Sequence, residues 1–532
     1  MTARRWVGVA GWRSLAPLVC GLAATWWVVG SSYAHRGGSM PVGTLGEGLQ
    51  RAFWLPWQLA DNLTSGRSLL DGSVFVTGGP GDLLAYAGNP GGALLGALVH
   101  LAVADPVRAH DAWILVIVCT NAVAMAALGR ALSGGRVRGA LLGAAMGAGC
   151  AVWARTLGEG AVAAGWIAPA ASFLAAWTAG RMPGVVLAGA LGALVAPVSM
   201  LAAVALVVTG VMSRADPLAP GVSVPRALAL ALTFACACVV RVTWPPLGAG
   251  LAAPDMVLAQ WCGPLAGVLG EGRVSMPLLA GAGVVVLLHA SGWRRGVGVL
   301  AVVAALFVLG PWFVRAGGDP ARVAGFGVAA GASGARWWVA EGASALAFVG
   351  LVGILGAGHG RVVGLALATW SLAEPSLLAD RGQPARLWPG AAWPVPAALR
   401  ELAATPRAHV VAALPLLETR DGAVGLVPFH RQRVVAPPGV HQEVAARRRF
   451  LQVVHEDTSL RTLAAVGRDQ LAGTVAPAAE VAAGLRARGI DRVALLGGDP
   501  VLRASLTHRF GTGVGDVWRV DPPPPHDPGD RP

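Results

Sequence analysis

Long apolar segments recur along the chain as far as residue 378 and then stop. A helix needs about 20 apolar residues to cross a hydrocarbon core of about 30 Å. The pattern therefore predicts a polytopic α-helical membrane domain over residues 1–378. Its spans lie near residues 14–33, 110–130, 138–154, 161–179, 183–196, 199–213, 226–244, 276–291, 297–315, 341–357 and 361–378.

A further apolar segment, Pro90 to Ala104, is about 15 residues long, so it fits either a short span or a helix on the membrane surface. The arginines between the spans separate these alternatives. If the segment lies on the surface, they all fall on one side of the membrane, as the positive-inside rule asks of the cytoplasmic side. They are Arg4, Arg5, Arg130, Arg136, Arg138, Arg181, Arg214, Arg226, Arg294, Arg295 and Arg361. We therefore predict about eleven spans, with the N-terminus in the cytoplasm and everything after Leu378 outside it.

Composition agrees with a membrane protein. Hydrophobic residues make up 55% of the 532 residues and charged residues only 13%, and the mean hydropathy is +0.60. These values lie far outside the range of soluble domains. The six cysteines show no metal-ligand spacing, so we interpret them as small buried apolar residues. We expect an integral membrane protein with no nucleic-acid partner.

The pattern changes after residue 379, where a proline-rich stretch leads into short alternating segments. HVVAALPLL and RVALLGG are typical of buried strands, and AAEVAAGLRARG and DPVLRASLTHRF of helices. Residues 379–520 are therefore predicted to form a small soluble extracytoplasmic α/β domain. The proline-rich tail, residues 521–532, is predicted to be disordered.

Two stretches of this domain invite a chemical interpretation. LLGGDP has the glycines of a nucleotide-binding turn but not the spacing, so a plain strand-to-helix turn is favoured. Five side chains can be assembled on paper into a metal site: His430, His441, Glu443, His455 and Glu456. The charged stretch AARRRFLQVVHED instead favours a solvated helix. No cofactor is assigned, and a divalent metal remains an option.

The first extracytoplasmic loop, residues 34–109, contains the stretch GTLGEGLQRAFWLPWQLADN from Gly43 to Asn62. As a helix it has one polar side and one apolar side. The polar side carries Glu47, Gln50, Trp54, Gln58, Asp61 and Asn62, and the apolar side carries Leu49, Phe53, Leu59 and Leu63. Tryptophans favour the headgroup level, so we predict a lid lying flat on the outer leaflet, kinked or broken at Pro56.

Glu47 has two interpretations in this stretch. A carboxylate at a helix N-terminus stabilises the helix by about 0.3–1 kcal/mol, and that alone would explain it. Alternatively it acts chemically. Glu47 and Asp61 lie roughly 20 Å apart at 1.5 Å per residue, so they cannot work as a carboxylate pair on one bond.

The order of features resembles the GT-C class of integral-membrane glycosyltransferases, in particular the bacterial branch with an extracytoplasmic C-terminal domain. The resemblance rests on EGLQRAFWLPWQLADNLTSGRSLL, then VTGGPGDLLAYAGNPGGALLGAL, DPVRAHDAWILVIV and GRALSGGRVRG, and near the C-terminus on LRARGIDRVALLGGDP and LTHRFGTGVGDVWRV. It covers nearly the whole chain and is weakest between residues 245 and 340.

The resemblance implies a mechanism. In this class a carboxylate of the first extracytoplasmic loop acts as general base, and the donor is a polyprenyl-phosphate sugar. That role falls on Glu47, where the class usually carries Asp. Gln50, Trp54 and Asp61 then become candidate substrate-binding residues on the same helix.

The phosphate leaving the donor needs a cation, for which Arg155 and Arg241 are candidates on the predicted outer side. Arg241 alternatively snorkels to the interface. Arg155 alternatively forms a local salt bridge with Glu159, the other candidate in that loop.

We therefore expect an inverting membrane glycosyltransferase that moves a sugar to an extracytoplasmic glycan, lipid or protein. Two other functions compete with it: a non-catalytic membrane scaffold of the same architecture, and a transporter of lipid-linked glycans.

Overall fold

A computed structural model describes residues 15–27, 47–69, 71–72, 90–149, 166–212, 223–243, 397–404, 409–414, 416, 423–435, 444–466, 476–495 and 499–520. The fold is mostly helical. The chain divides into two compact units. The first unit comprises Met1–Thr44, Gly88–Leu95 and Val107–Ala391, and the second unit comprises Leu45–Ala87, Gly96–Pro106 and Ala392–Pro532. The predicted domain boundary at residue 378, the last four predicted spans and the tail lie outside the described residues.

The described helices of the N-terminal part follow the predicted apolar segments. In chain order they are α1 (Leu15–Thr25), α2 (Glu47–Thr64), α3 (Pro90–Ala102), α4 (Pro106–Leu132), α5 (Val137–Gly149), α6 (Ala168–Thr178), α7 (Met182–Val195), α8 (Pro197–Met212) and α9 (Val224–Thr243).

Length separates one of these helices from the others. Within the described residues, α4 is the one helix long and apolar enough to cross a membrane, by length and composition. Other apolar helices extend over 10–17 residues, which is short for a span. The helical nature of the predicted segments is confirmed wherever the structure describes them, whereas the eleven-span arrangement stays a prediction.

Glycines bring α4 and α5 into close contact. Gly139, Gly143 and Gly147 follow each other at four-residue spacing and so lie on one face of α5. A methyl group on Gly143 would collide with the carbonyl oxygen of Met125, and one on Gly147 would lie 2.7 Å from that of Asn121. Small residues at this spacing let two helix backbones approach, which is the usual packing of helices in lipid.

Large apolar side chains are exposed on the first unit. On α1, α7 and α9, twelve Leu, Val and Phe side chains are 46–63% exposed. They are Leu15, Leu18, Val19, Leu22, Val186, Leu187, Leu191, Leu194, Leu228, Leu232, Phe234 and Val239. The same helices bury small residues such as Ala16, Ala193 and Ala237. Apolar patches of this kind mark a surface that contacts a membrane or another protein.

The second unit is built on a sheet. Its elements are α10 (Ala397–Ala404), β1 (Val410–Leu414), α11 (Ala423–His430), β2 (Arg433–Val435), α12 (Val444–Glu456), α13 (Thr458–Val466), α14 (Ala478–Ala487), β3 (Arg492–Leu495), α15 (Pro500–Phe510) and β4 (Val517–Arg519). The strand order is β2-β1-β3-β4. β1 pairs in parallel with β2 and β3, and β4 is antiparallel to β3. The two predicted strands and two predicted helices are confirmed, and the charged stretch before Asp457 forms α12.

The two faces of the sheet are covered differently. On the first face, side chains of all four strands share one core with α12, α13, α14 and α15. On the second face, Val411, Ala494 and Val517 pack with Ala398 and Leu402 of α10. α11 contacts α10 and β2, and α2 contacts α11. A helix of the first loop therefore belongs to the helical layer beside α10.

We expect Gly143→Val to destabilise the first unit, because the larger side chain would push α5 away from Met125 on α4. Overpacking of this kind costs roughly 1–3 kcal/mol. The thermal midpoint of the detergent-solubilised protein, followed by tryptophan fluorescence, should fall. Leu141→Ala is the matched control, since Leu141 lies on the same helix and is 54% exposed. An equal loss in both variants would contradict close α4–α5 packing.

Candidate functional site

The helix that carries the predicted base is continuous. α2 begins at Glu47 and ends at Thr64, with Pro56 inside it. A kink or a break was predicted at Pro56; the break is therefore wrong, and the kink stays a prediction. Proline removes one backbone hydrogen bond, but the residues around it, from Trp54 to Ala60, are buried in the second unit, and this packing holds the helix together. Glu47 and Gln50 are placed by the backbone of α2, and their side chains are outside the description.

The polar side of α2 faces protein. Trp54 and Asn62 have no exposed surface and Gln58 is 1% exposed. On the other side, Leu59 is buried and Leu63 is 44% exposed. Protein therefore covers much of both sides of this part of α2, and the lid on the outer leaflet stays a prediction. An amphipathic pattern shows that a helix has two sides, but not that a neighbouring helix, here α11, covers one of them.

A chain of amide hydrogen bonds fixes Gln58. The Asn62 Nδ2 group donates to the carbonyl oxygens of Leu69, at 3.2 Å, and Asp71, at 3.0 Å. Its Oδ1 must then accept, and it does so from Gln58 Nε2 at 2.9 Å. Gln58 Oε1 is buried and has no hydrogen-bond partner within the part of the chain that the structure describes. It is an acceptor for a donor from outside that part. The sequence placed Gln58 on the polar side but gave no reason to select it.

Asp61 is engaged locally. Its carboxylate forms an ion pair with Arg67, whose guanidinium also lies 4.0 Å from Asp71. With the amide contacts of Asn62, this pair folds the chain after α2 back onto the helix. Asp61 is therefore part of a local turn, which is a structural alternative to its predicted role in substrate binding.

The remaining predicted site residues are less fully placed. Arg155 and Glu159 lie outside the described residues. The backbone of Arg241 lies in the last turn of α9, and its side chain is not described. The predicted residues of α2 thus share one helix, along which Glu47 and Asp61 lie roughly 20 Å apart, and the described residues do not relate them to the arginines.

One end of the loop that carries Arg155 is anchored to α4. Asn121 Oδ1 accepts hydrogen bonds from the backbone N–H groups of Ile167 and Ala168, at 3.1 and 2.8 Å. The Trp166 indole donates to Thr120 Oγ1 at 2.9 Å, and its ring meets Trp113 edge-on with centroids 5.6 Å apart. These contacts satisfy backbone donors at the start of α6 that a helix otherwise leaves unpaired.

Two ionisable side chains are buried near the start of α4. His110 has no exposed surface and Asp111 is 3% exposed. Ionisable groups are costly on an apolar helix and mark candidate functional sites. The sequence showed Asp111 as an acidic residue without a role, and the burial adds it and His110 to the candidates of the first unit.

The polar groups at the amino ends of the parallel strands bind one another. Asp491 accepts a hydrogen bond from the Val410 N–H at 3.0 Å and contacts His409 Nδ1 with its second oxygen. The His409 N–H donates to Gln432 Oε1 at 3.2 Å, and Gln432 Nε2 donates to the Leu402 carbonyl at 3.3 Å. Ligands of open parallel sheets bind at the opposite, carboxyl ends of the strands. We therefore interpret this cluster as structural, with hydrogen bonds that hold the parallel strands in register.

The carboxyl end of β3 leads to a helix that caps itself. Asp499 Oδ1 accepts hydrogen bonds from the N–H groups of Val501 and Leu502, at 2.8 and 3.3 Å. A carboxylate at this position occupies the place that a phosphate would take. Gly497 and Gly498 of LLGGDP lie outside the described residues, so the plain turn stays a prediction.

A metal site is not assembled among the described residues, where no group of three or more His, Cys, Asp or Glu is close enough to hold an ion. His441 and Glu443 lie outside the described ranges. His430, another member of the predicted set, is the last residue of α11 and is buried. Its Nδ1 accepts a hydrogen bond from the Gln432 N–H at 3.0 Å, and burial lowers its pKa to about 4.

Comparison with models of known protein families and with curated proteins finds no match for this chain.

We expect stability around α11 to depend on pH through His430. Its pKa is about 4 in the fold against an ordinary value of 6.5. The neutral form is thus favoured by folding, so the stabilisation is complete above pH 6.5 and is lost as pH falls towards 4. The slope approaches about 1.4 kcal/mol per pH unit.

The measurement is hydrogen-exchange protection of residues 423–435 between pH 7 and 4.5. His430→Asn keeps an acceptor at the Nδ1 position but does not titrate, so this variant should lose the slope. His508→Asn, at an exposed position on α15, controls for the loss of a histidine. A wild-type slope that survives in His430→Asn would assign the effect to another group.

Proposed function

We propose that this protein is a polytopic GT-C-like membrane glycosyltransferase that moves a sugar from a polyprenyl-phosphate carrier to an extracytoplasmic acceptor. The observation that carries the proposal is the position of Glu47 at the first residue of α2, a helix whose residues from Trp54 to Ala60 are buried. A general base must be kept at a defined distance from the bond it acts on. The first turn of a packed helix supports that role better than a free loop does.

The surface of the first unit supports a membrane location. Its helices expose Leu, Val and Phe and bury Ala and Gly, and α4 is long enough to cross a bilayer. Exposing large apolar side chains has no free-energy cost in lipid, because the lipid tails are as apolar as the side chains. We propose about eleven spans in a bacterial inner membrane, with the N-terminus cytoplasmic and the C-terminal domain extracytoplasmic.

The proposed reaction is a single displacement with inversion. Glu47 takes the proton from an acceptor hydroxyl while that oxygen forms a bond to the anomeric carbon of the donor sugar. The bond from the anomeric carbon to the phosphate oxygen breaks, and its electron pair leaves with the polyprenyl phosphate. Arg241 and Arg155 are candidates to stabilise the leaving phosphate, because a guanidinium binds phosphate through two parallel hydrogen bonds.

Two further groups lie on α2, and both are buried. Trp54 has no exposed surface, and the amide oxygen of Gln58, one helical turn later, has no hydrogen-bond partner among the described residues. Both belong to the helix that begins at Glu47. The sugar and the acceptor class follow from none of these groups, since hydroxyl-rich ligands share the same chemistry.

Glu47→Gln should lower sugar transfer by roughly 100-fold or more, because the amide keeps the size and hydrogen bonding of the carboxylate but cannot accept the proton. Donor binding should change little. Transfer is measured as release of labelled sugar from a polyprenyl-phosphate donor by the purified protein.

Glu47→Asp tests how far the site has adapted to the longer side chain. Glu480→Gln, an exposed carboxylate on α14, is the matched control and should retain full transfer. Near wild-type transfer in Glu47→Gln would remove Glu47 as the base. If the wild-type protein releases no sugar but supports carrier flipping in liposomes, the transporter is the better function; if it does neither, the scaffold is.

A topology experiment tests the membrane arrangement. An alkaline phosphatase fused after residue 380 should be active, because the proposed orientation places that residue outside the cytoplasm, and a fluorescent reporter that folds only in the cytoplasm should be dark at the same position. The reverse pattern would overturn both the span count and the placement of the C-terminal domain.

A further inference from the structure

The helical layer on the second face of the sheet is incomplete without the first loop. A mainly parallel sheet needs cover on both faces, and all five residues of β1 are buried. The first face is covered by four helices. On the other side, α10 and α11 have eight residues each and are only about 12 Å long.

The loop helix α2 extends this layer. It has 18 residues, about 27 Å, and it contacts α11. Its buried side chains are Trp54, Leu55, Trp57, Gln58, Leu59, Ala60 and Asn62. On α11, Val427 is 1% exposed and His430 is 6% exposed. The compact unit that contains the sheet accordingly includes residues 45–87.

The contact has a consequence for Glu47. Glu47 starts α2, and a continuous helix transmits the position of its packed part to its first turn, because most of the backbone between them is hydrogen-bonded although Pro56 removes one bond. Whatever holds Trp54 to Asn62 in place therefore also limits where the first turn lies. Of the described helices, α11 is the one shown in contact with α2 within the unit.

We propose that α11 is the positioning element of the site, holding α2 and thereby setting the place of the Glu47 carboxylate. The C-terminal domain then completes the transferase, in addition to any acceptor it binds. Val427 is the positioning residue that we assign to α11. The functional part of this inference rests on the proposed glycosyltransferase activity, whereas the coupling of α11 to α2 does not.

The test begins with Val427→Ala in the full-length protein in detergent. Removing buried methyl groups from α11 should loosen α2, so amide exchange of residues 47–64 should become roughly 10-fold faster. Leu506→Ala is the matched control. Leu506 is also fully buried, but in the core of the first face, so its variant should speed exchange in α15 and leave α2 as in the wild type. Equal exchange of α2 in the two variants would overturn the coupling.

A second variant tests the contact from the other side. Coupling between two packed elements is reciprocal, so Leu59→Ala on α2 should speed exchange of residues 423–430 by a similar factor. If Val427→Ala does not fold, the Leu59→Ala variant still tests the coupling between α2 and α11. No change in α11 would overturn the proposal.

Kinetics separate positioning from simple loss of folded protein. Val427→Ala should lower kcat by about 10-fold or more, because misplacing a catalytic group by about 1 Å has effects of this order, while KM for the polyprenyl-phosphate donor stays unchanged. Val427→Ile keeps a branched apolar side chain and adds one methylene, so it should lose less of the rate than Val427→Ala. A rise in KM at constant kcat would overturn the positioning role. If wild-type protein transfers no sugar, the proposed function fails, and the exchange experiments still decide the coupling.

Discussion

A sheet of parallel strands has no face for water, and the second unit is organised around this requirement. β1 lies inside the sheet with every residue buried, so apolar side chains point both ways. The four helices that follow β2 in the chain cover one face. The short helices α10 and α11 begin the cover of the other face, and α2, from the opposite end of the sequence, packs on α11. A segment that would otherwise be a connecting loop becomes part of the fold of the C-terminal domain.

The first unit follows a different rule of packing. Its helices expose large apolar side chains and place glycine and alanine where backbones meet, as at Gly143 against α4. Between helices in lipid there is no hydrophobic driving force, so close approach and a few polar contacts must supply the attraction. Asn121 is such a contact, since its side chain caps the start of α6. The first unit thus combines buried large side chains, such as Ile114, Ile117 and Phe173, with the exposed apolar residues of α1, α7 and α9.

Sequence patterns predicted the local structure of each segment better than they predicted which segments pack together. Apolar runs and β-branched segments identified the helices of the first unit, β1 and β3, because these follow from periodicity within one window. β2 and β4 escaped prediction since three residues carry too little pattern. For α2 the helical period was predicted correctly. The sequence did not predict that α11 packs against it, because α11 comes hundreds of residues later in the chain. The same long-range contact explains why Pro56 does not end the helix and why Gln58, with its fixed amide, was not selected.

The distribution of polar groups within the second unit indicates where its chemistry lies. At the amino ends of the strands, Asp491 and Gln432 are used in bonds that hold the strands in register. At the carboxyl end of β3, the Asp499 carboxylate already caps the helix that follows. Among the described side chains of α2, in contrast, Gln58 presents a buried acceptor that the described protein leaves unfilled, and such a group is costly unless something binds it. At the strand ends the sheet thus uses these polar side chains on its own structure, whereas the Gln58 amide oxygen on the helix packed against α11 has no such use among the described residues.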